Sequence, residues 1–140
     1  MAQAKNFFME IVTPEGKVFS GNAEAAVVPG VEGEIGILAD HAALLSEISL
    51  GELRVTSAGK TQIYAVESGV VEIRDNAVSV AVESAQKPDE IDRQNVKLIK
   101  DRAEAAIREN REPALVAKAQ NDLKVALLLE KISVDAAGKK

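Results

Sequence analysis

Cysteine is absent from this 140-residue chain. That excludes a disulfide framework, a cysteine-ligated zinc site and thiol catalysis together, and it suits a reducing compartment. Tryptophan is absent too, and aromatics make up only 3% of the chain, so any core must be built from Val, Ile, Leu and Ala. There is a single histidine, His41, with no ligand spacing around it, so neither a metal nor a cofactor is called for. No apolar run approaches the ~20 residues that a membrane span needs. The start, MAQAKNFFMEIV, has one Lys and an apolar run broken by Glu10, unlike a signal peptide or an Arg-rich transit peptide. The expectation is a chain that is soluble by itself. An excess of positive charge is lacking as well: the net charge is −5, which argues against a nucleic-acid binder.

What is present suffices for one packed domain with an appendage. Apolar residues reach 46% and charged residues 28%. From Asn6 to Glu83 short β-branched runs alternate with turn residues: FFMEIVT then PEG, KVFS then GN, EAAVV then PG, ELRVTS then AG, KTQIYAV then ESG, VVEIR then DN, and AVSVAVE. In VVEIR, Glu72 and Arg74 alternate with Val71 and Ile73, as in a strand with one face buried. Ala58-Gly59 and Asp75-Asn76 read as tight hairpin turns. The pattern predicts an antiparallel β-sandwich or barrel over residues 1–87.

After Lys87-Pro88-Asp89 the period changes. Val96, Ile99, Ala103, Ala106 and Ile107 mark one helix face, with Asp89 or a neighbour as its cap. Pro113 opens a second helix, whose stripe is Val116, Ala119, Leu123, Ala126 and Leu127. The short link favours an antiparallel two-helix hairpin over 88–134, leaving 135–140 as a flexible tail. Charge divides in the same way: residues 1–88 carry 12 acidic and 6 basic side chains, residues 89–133 nine of each.

Catalytic motifs fail inspection. SAGKT at 57–61 lacks the first glycine of a P-loop, since position 54 is Arg, and it reads as a turn between strands. In GVEGEIGILADHAALL (30–45), Gly30, Gly33 and Gly36 lack dinucleotide-binding spacing and no helix follows directly. They read as backbone devices, where the chain needs φ > 0 or a close approach. Asp40-His41 is half a triad without a nucleophile. Glu32 and Glu34 on a Gly-rich loop read as solvated acids or partner contacts rather than paired catalytic carboxylates. The chain is not predicted to be an enzyme.

Four stretches, in this order and spacing, carry a resemblance: IVTPEGKVFSG (11–21), VPGVEGEIGILADHAALL (28–45), SGVVEIRDNAVSVAVESA (68–85) and AKAQNDLKVALLL (117–129). Together they resemble the epsilon subunits of bacterial F-type ATP synthases. The resemblance implies a non-catalytic rotor subunit that couples proton translocation to ATP synthesis. Its sandwich would dock on the gamma subunit and the c-ring at the foot of the central stalk. Gly33, Glu34 and Gly36 match the loop that approaches the ring, and His41 matches a gamma-facing position. The chain has Ala39-Asp40-His41-Ala42-Ala43 where the family's Pro-Gly-His-Ala-Pro is usual, so two restraining prolines are missing. The helices would be a regulatory arm that extends to hinder ATP hydrolysis. Lys97, Lys100, Arg102 and Arg108 would then meet an acidic loop of the catalytic beta subunit. Contact with the membrane would be through the complex alone, on the cytoplasmic face of the bacterial inner membrane.

Some family members bind ATP in the hairpin through Ile/Leu-Asp-x-x-Arg-Ala and further arginines. Here Ile91-Asp92 is kept, Asn95-Val96 replaces Arg-Ala, and Arg102 matches a further arginine. Lys118 and Asp122 stand at two positions where the pattern has arginine, and Asp is unfavourable beside a phosphate. Two other readings follow from the residues. A free-standing nucleotide sensor would use the helical hairpin, where the resemblance implies Asp92 and Arg102 as its residues and the missing arginines speak against it. A ligand-binding β-sandwich would need an exposed aromatic pocket, for which three Phe and one Tyr are poor material.

Overall fold

The structure, a computed structural model, describes residues 5–138, with side chains through Val134. The chain divides into two compact units between Lys87 and Pro88.

Ten strands form the first unit: β1 (Phe7–Thr13), β2 (Gly16–Ala23), β3 (Ala25–Gly30), β4 (Gly33–Leu38), β5 (Leu44–Ile48), β6 (Gly51–Ser57), β7 (Lys60–Val66), β8 (Gly69–Arg74), β9 (Ala77–Val82) and β10 (Ala85–Gln86). Hydrogen bonding runs β10-β7-β6-β3-β5-β8-β9-β1-β2, with β4 on the side of β3. The path narrows at β3–β5, where Gly30 and Ile48 are the sole registered pair. Ser49 N donates to Pro29 O (2.8 Å) and Val31 N to Glu47 O (3.2 Å) around that joint. Two sheets thus fold onto each other there. Their inner faces bury Phe7, Met9, Ile11, Val28, Ile37, Leu53, Tyr64, Val71, Ile73 and Val80 in one hydrophobic cluster.

Alternation decides which side chains enter that core. In β8, Val71 and Ile73 are buried while Glu72 and Arg74 face out. Both predicted two-residue turns close hairpins, pairing Ser57 with Lys60 and Arg74 with Ala77. All four turn residues are left-handed: Ala58 at φ 53°, Gly59 at 75°, Asp75 at 53° and Asn76 at 59°. Such turns match the twist of the flanking strands.

Two expectations need correction. The sheet is not wholly antiparallel, because β1 runs parallel to β9. A parallel pair needs a long crossover rather than a tight turn, and most of the sandwich lies between these two strands. Nor is GEIGIL a loop: it is β4, a strand antiparallel to β3, with only Ile37 fully buried. One buried residue in six leaves too little alternation to read as a strand.

The second unit opens with a 3-10 turn at Pro88–Glu90, followed by α1 (Arg93–Glu109) and α2 (Pro113–Gly138). The α1 cap is Asp92, whose Oδ1 accepts from Gln94 N (3.1 Å) and Asn95 N (3.2 Å). Asp89 lies in the preceding turn. Val96 and Ala103 on α1 and Ala119 and Ala126 on α2 are buried, small side chains that let the helices approach closely. Leu127, expected in the stripe, is exposed, while Ile132 and Ser133 are buried. One residue is a step of about 100° around the helix, so a stripe centred on Ala119 and Ala126 leaves Leu127 on the flank. The helix continues through residues 135–138, where a tail was expected.

Candidate partner-docking sites

The β3–β4 hairpin turns at Val31-Glu32, and its glycines have different causes. A Cβ on Gly30 would stand 2.7 Å from Gly33 O, and Gly33 has φ +130°. The turn therefore needs glycine at both positions. Gly36 has neither reason: its φ is ordinary, and a Cβ there would meet nothing within 4 Å. Bare backbone at Gly36 is a property of the exposed surface rather than a demand of the fold.

Glu34 lies on the same strand, exposed. Its Oε2 is 3.6 Å from Arg54 Nη2, and Arg54 Nη1 is 2.9 Å from Glu52 Oε2. Register explains the reach, since Val27 of β3 pairs with both Gly36 and Arg54, placing β4 and β6 on either side of it. Sequence reasoning missed Arg54. The signal available was ELRV, where Glu52 and Arg54 alternate with Leu53 and Val55 on the polar face of a strand.

His41 follows β4 after Asp40, which has φ +63°. Its Nδ1 lies 2.7 Å from Ala42 O and donates to it. The Asp40 carboxylate instead faces Lys5 Nζ at 3.6 Å. Asp40 does not orient the imidazole, so the two are no fragment of a triad. Leu38 and Leu45, flanking His41 along the chain, are 65% and 70% exposed. Lone exposed leucines are common, and these two leave large apolar side chains bare on either side of one turn. Among the described residues, no group of three or more acids and histidines is arranged to hold a metal.

On the helical unit, the expected basic residues divide by face. At about 100° per residue, Lys97, Lys100 and Arg108 lie within about 80° of one another, and Arg102 projects some 120° away from Arg108. Lys97, Arg102 and Arg108 are exposed, while Lys100 Nζ is 3.5 Å from Glu130. Arg102 instead lines a groove of about 360 Å³ between the helices, together with Ile99, Ala106, Leu115, Lys118 and Asp122. Asp92 is not in that groove. Its carboxylate caps α1, ten residues or about 15 Å of helix from Arg102.

The fold and surface now have a family. A model of the ATP synthase delta/epsilon chain β-sandwich domain matches residues 6–88. An ATP synthase epsilon chain from Shouchella clausii is 43% identical over 96 residues, 69% of this chain and 72% of that one. Another, from Nitratidesulfovibrio vulgaris, is 38% identical over 123 residues, 88% and 92% of the two chains. Among solved structures, a chain of the Euglena gracilis mitochondrial ATP synthase OSCP/F1/c-ring assembly superposes with a TM-score of 0.77 at 21% identity, covering 98% of this chain and 83% of that one. A chain from the Tetrahymena thermophila mitochondrial ATP synthase central stalk and c-ring reaches 0.62 at 16% identity, covering 94% and 97%. These two show a shared fold.

The chain belongs to the ATP synthase delta/epsilon family. As an epsilon chain it is a non-catalytic rotor subunit of the F-type ATP synthase central stalk. Among the described residues, no helix is long and apolar enough to cross a membrane.

Proposed function

We propose that the sandwich docks on the gamma subunit and the c-ring, and that the helical unit restrains ATP hydrolysis as a movable arm reaching the catalytic beta subunit. The complex would stand on the cytoplasmic face of a bacterial inner membrane. The observation carrying the docking assignment is Gly36: exposed bare backbone that the fold does not require, on a strand that also presents Glu34. Bare backbone lets another chain approach closely. Glu34 would meet polar groups of the ring, held by Arg54, and His41 with Leu38 and Leu45 would face gamma.

Support for the arm comes from the boundary at Lys87 and from the basic side of α1. An arm that changes position needs two states only a few kcal/mol apart, within reach of nucleotide or proton-motive force. The test is truncation after Lys87, which spares β10 and its pairing with Val66 and Ala65 of β7. Full-length and truncated protein are reconstituted with the remaining subunits in membranes, and hydrolysis and proton pumping are compared. Assembly and coupling should persist while hydrolysis rises. Unchanged hydrolysis would end the regulatory assignment, and lost assembly would end the division of labour.

A further inference from the structure

Asn76 holds three segments of the sandwich together. Its Oδ1 accepts from Asp40 N at 2.7 Å, its Nδ2 donates to Asn6 O at 3.0 Å, and its main-chain oxygen accepts from Phe8 N at 3.2 Å. The left-handed turn by itself does not demand this residue, since Gly or Asp suits the same geometry. Only an amide side chain offers both the acceptor and the donor used here. The residue it grips, Asp40, is left-handed and non-glycine, a conformation that persists when its surroundings over-determine it. Directly after Asp40 comes His41, whose Nδ1 proton is committed to Ala42 O. In the neutral ring that leaves Nε2 as a bare acceptor.

We propose that Asn76 is a positioning residue for partner binding: it fixes the Asp40 backbone so that His41 presents Nε2 to an N–H or O–H donor on the partner. Leu38 and Leu45 would supply the apolar flank of the same contact. This rests on the assignment of His41 to the gamma interface.

The test uses the full chain and purified gamma subunit. Asn76→Gly keeps the turn and removes both side-chain bonds; Asn76→Asp keeps the acceptor and loses the donor. By amide exchange on the free protein, Asn76→Gly should speed exchange at Asp40 about tenfold, with β8 and β9 amides little changed, as loss of a hydrogen bond implies. Gamma binding should weaken by about five- to tenfold in Asn76→Gly, less in Asn76→Asp, and by under about twofold when His41→Ala is already present. Unchanged Asp40 exchange overturns the proposal, and so does an equal binding loss in both backgrounds. If His41→Ala alone leaves gamma binding intact, the assignment of His41 fails and takes the proposal with it. The faster Asp40 exchange would then locate the failure in the interface and not in the tie.

Discussion

Lys118 Nζ stands 3.2 Å from Asp122 Oδ2, one turn along α2, in the groove that Arg102 lines. Among the described residues lining that groove, the one carboxylate is thus on the wall where a nucleotide pattern wants a second arginine. Its partner lysine is turned toward it.

Isolated protein should therefore bind ATP very weakly. Each missing charge-assisted phosphate bond removes about 1.5–3 kcal/mol, so Asn95 and Asp122 together take away roughly two to four decades of affinity. Titration calorimetry should show no micromolar site. Asp122→Arg should recover about tenfold or more, by removing a repulsive charge and freeing Lys118. Micromolar binding by the unmodified chain would refute this and favour the nucleotide sensor.

Gly69 and Gly36 predict opposite responses to the same change. A Cβ on Gly69 would overlap Ala81 O and stand 2.7 Å from Val82 Cα, both backbone atoms of β9. Backbone in a sheet cannot swing aside as a side chain does, so Gly69→Ala should lose about 3 kcal/mol or fail to fold. Gly36→Ala should leave stability within about 0.5 kcal/mol, while weakening assembly with the ring. Urea midpoints of the two variants check the first contrast, and pull-down with the remaining complex checks the second. A Gly36→Ala protein that assembles normally would remove the docking assignment of β4.

How much of this was visible beforehand depends on the range of the interaction involved. Val71 to Arg74, the Ala58-Gly59 and Asp75-Asn76 turns and the α1 stripe are local patterns, and the structure reproduces them. The sequence of β4 reads as a loop because two glycines and an exposed Glu34 hide its alternation. The parallel β1–β9 pair, the reach of Arg54 to Glu34 and the grip of Asn76 on Asp40 join residues distant in sequence. No period or spacing encodes them. His41 stands out in the sequence, but the atoms that hold it in place do not.

Among the described turn residues with positive φ, Ala58 is the one whose side chain is ill-suited to its backbone. It is exposed at φ 53°, where Cβ crowds the carbonyl, while the corresponding turn uses Asp75. Ala58→Asn should stabilise the sandwich by about 0.5–1 kcal/mol, through a residue that tolerates the left-handed region. Chemical denaturation of the two proteins measures it directly, and a lower midpoint for Ala58→Asn would contradict the strain.

The arrangement of charges on α1 makes the arm testable at the level of faces. Lys97, Lys100 and Arg108 lie on one side of the helix, and Arg102 points elsewhere, into the groove. If inhibition works by engaging an acidic surface of the beta subunit, one side must do it at a time. Exposed pairs contribute about 0–1 kcal/mol each, so Lys97→Ala or Arg108→Ala alone should raise hydrolysis by at most a few-fold. Replacing Lys97, Lys100 and Arg108 together should approach the effect of truncation, and should depend less on salt than the unmodified enzyme does. Arg102→Ala should leave inhibition nearly unchanged. Steady-state hydrolysis by the reassembled complex at low and high ionic strength separates the cases. A triple variant that inhibits as well as the unmodified chain would show that the bulk of the helix, and not its charge, obstructs the enzyme. A large effect from Arg102→Ala would place the contact on the groove face instead.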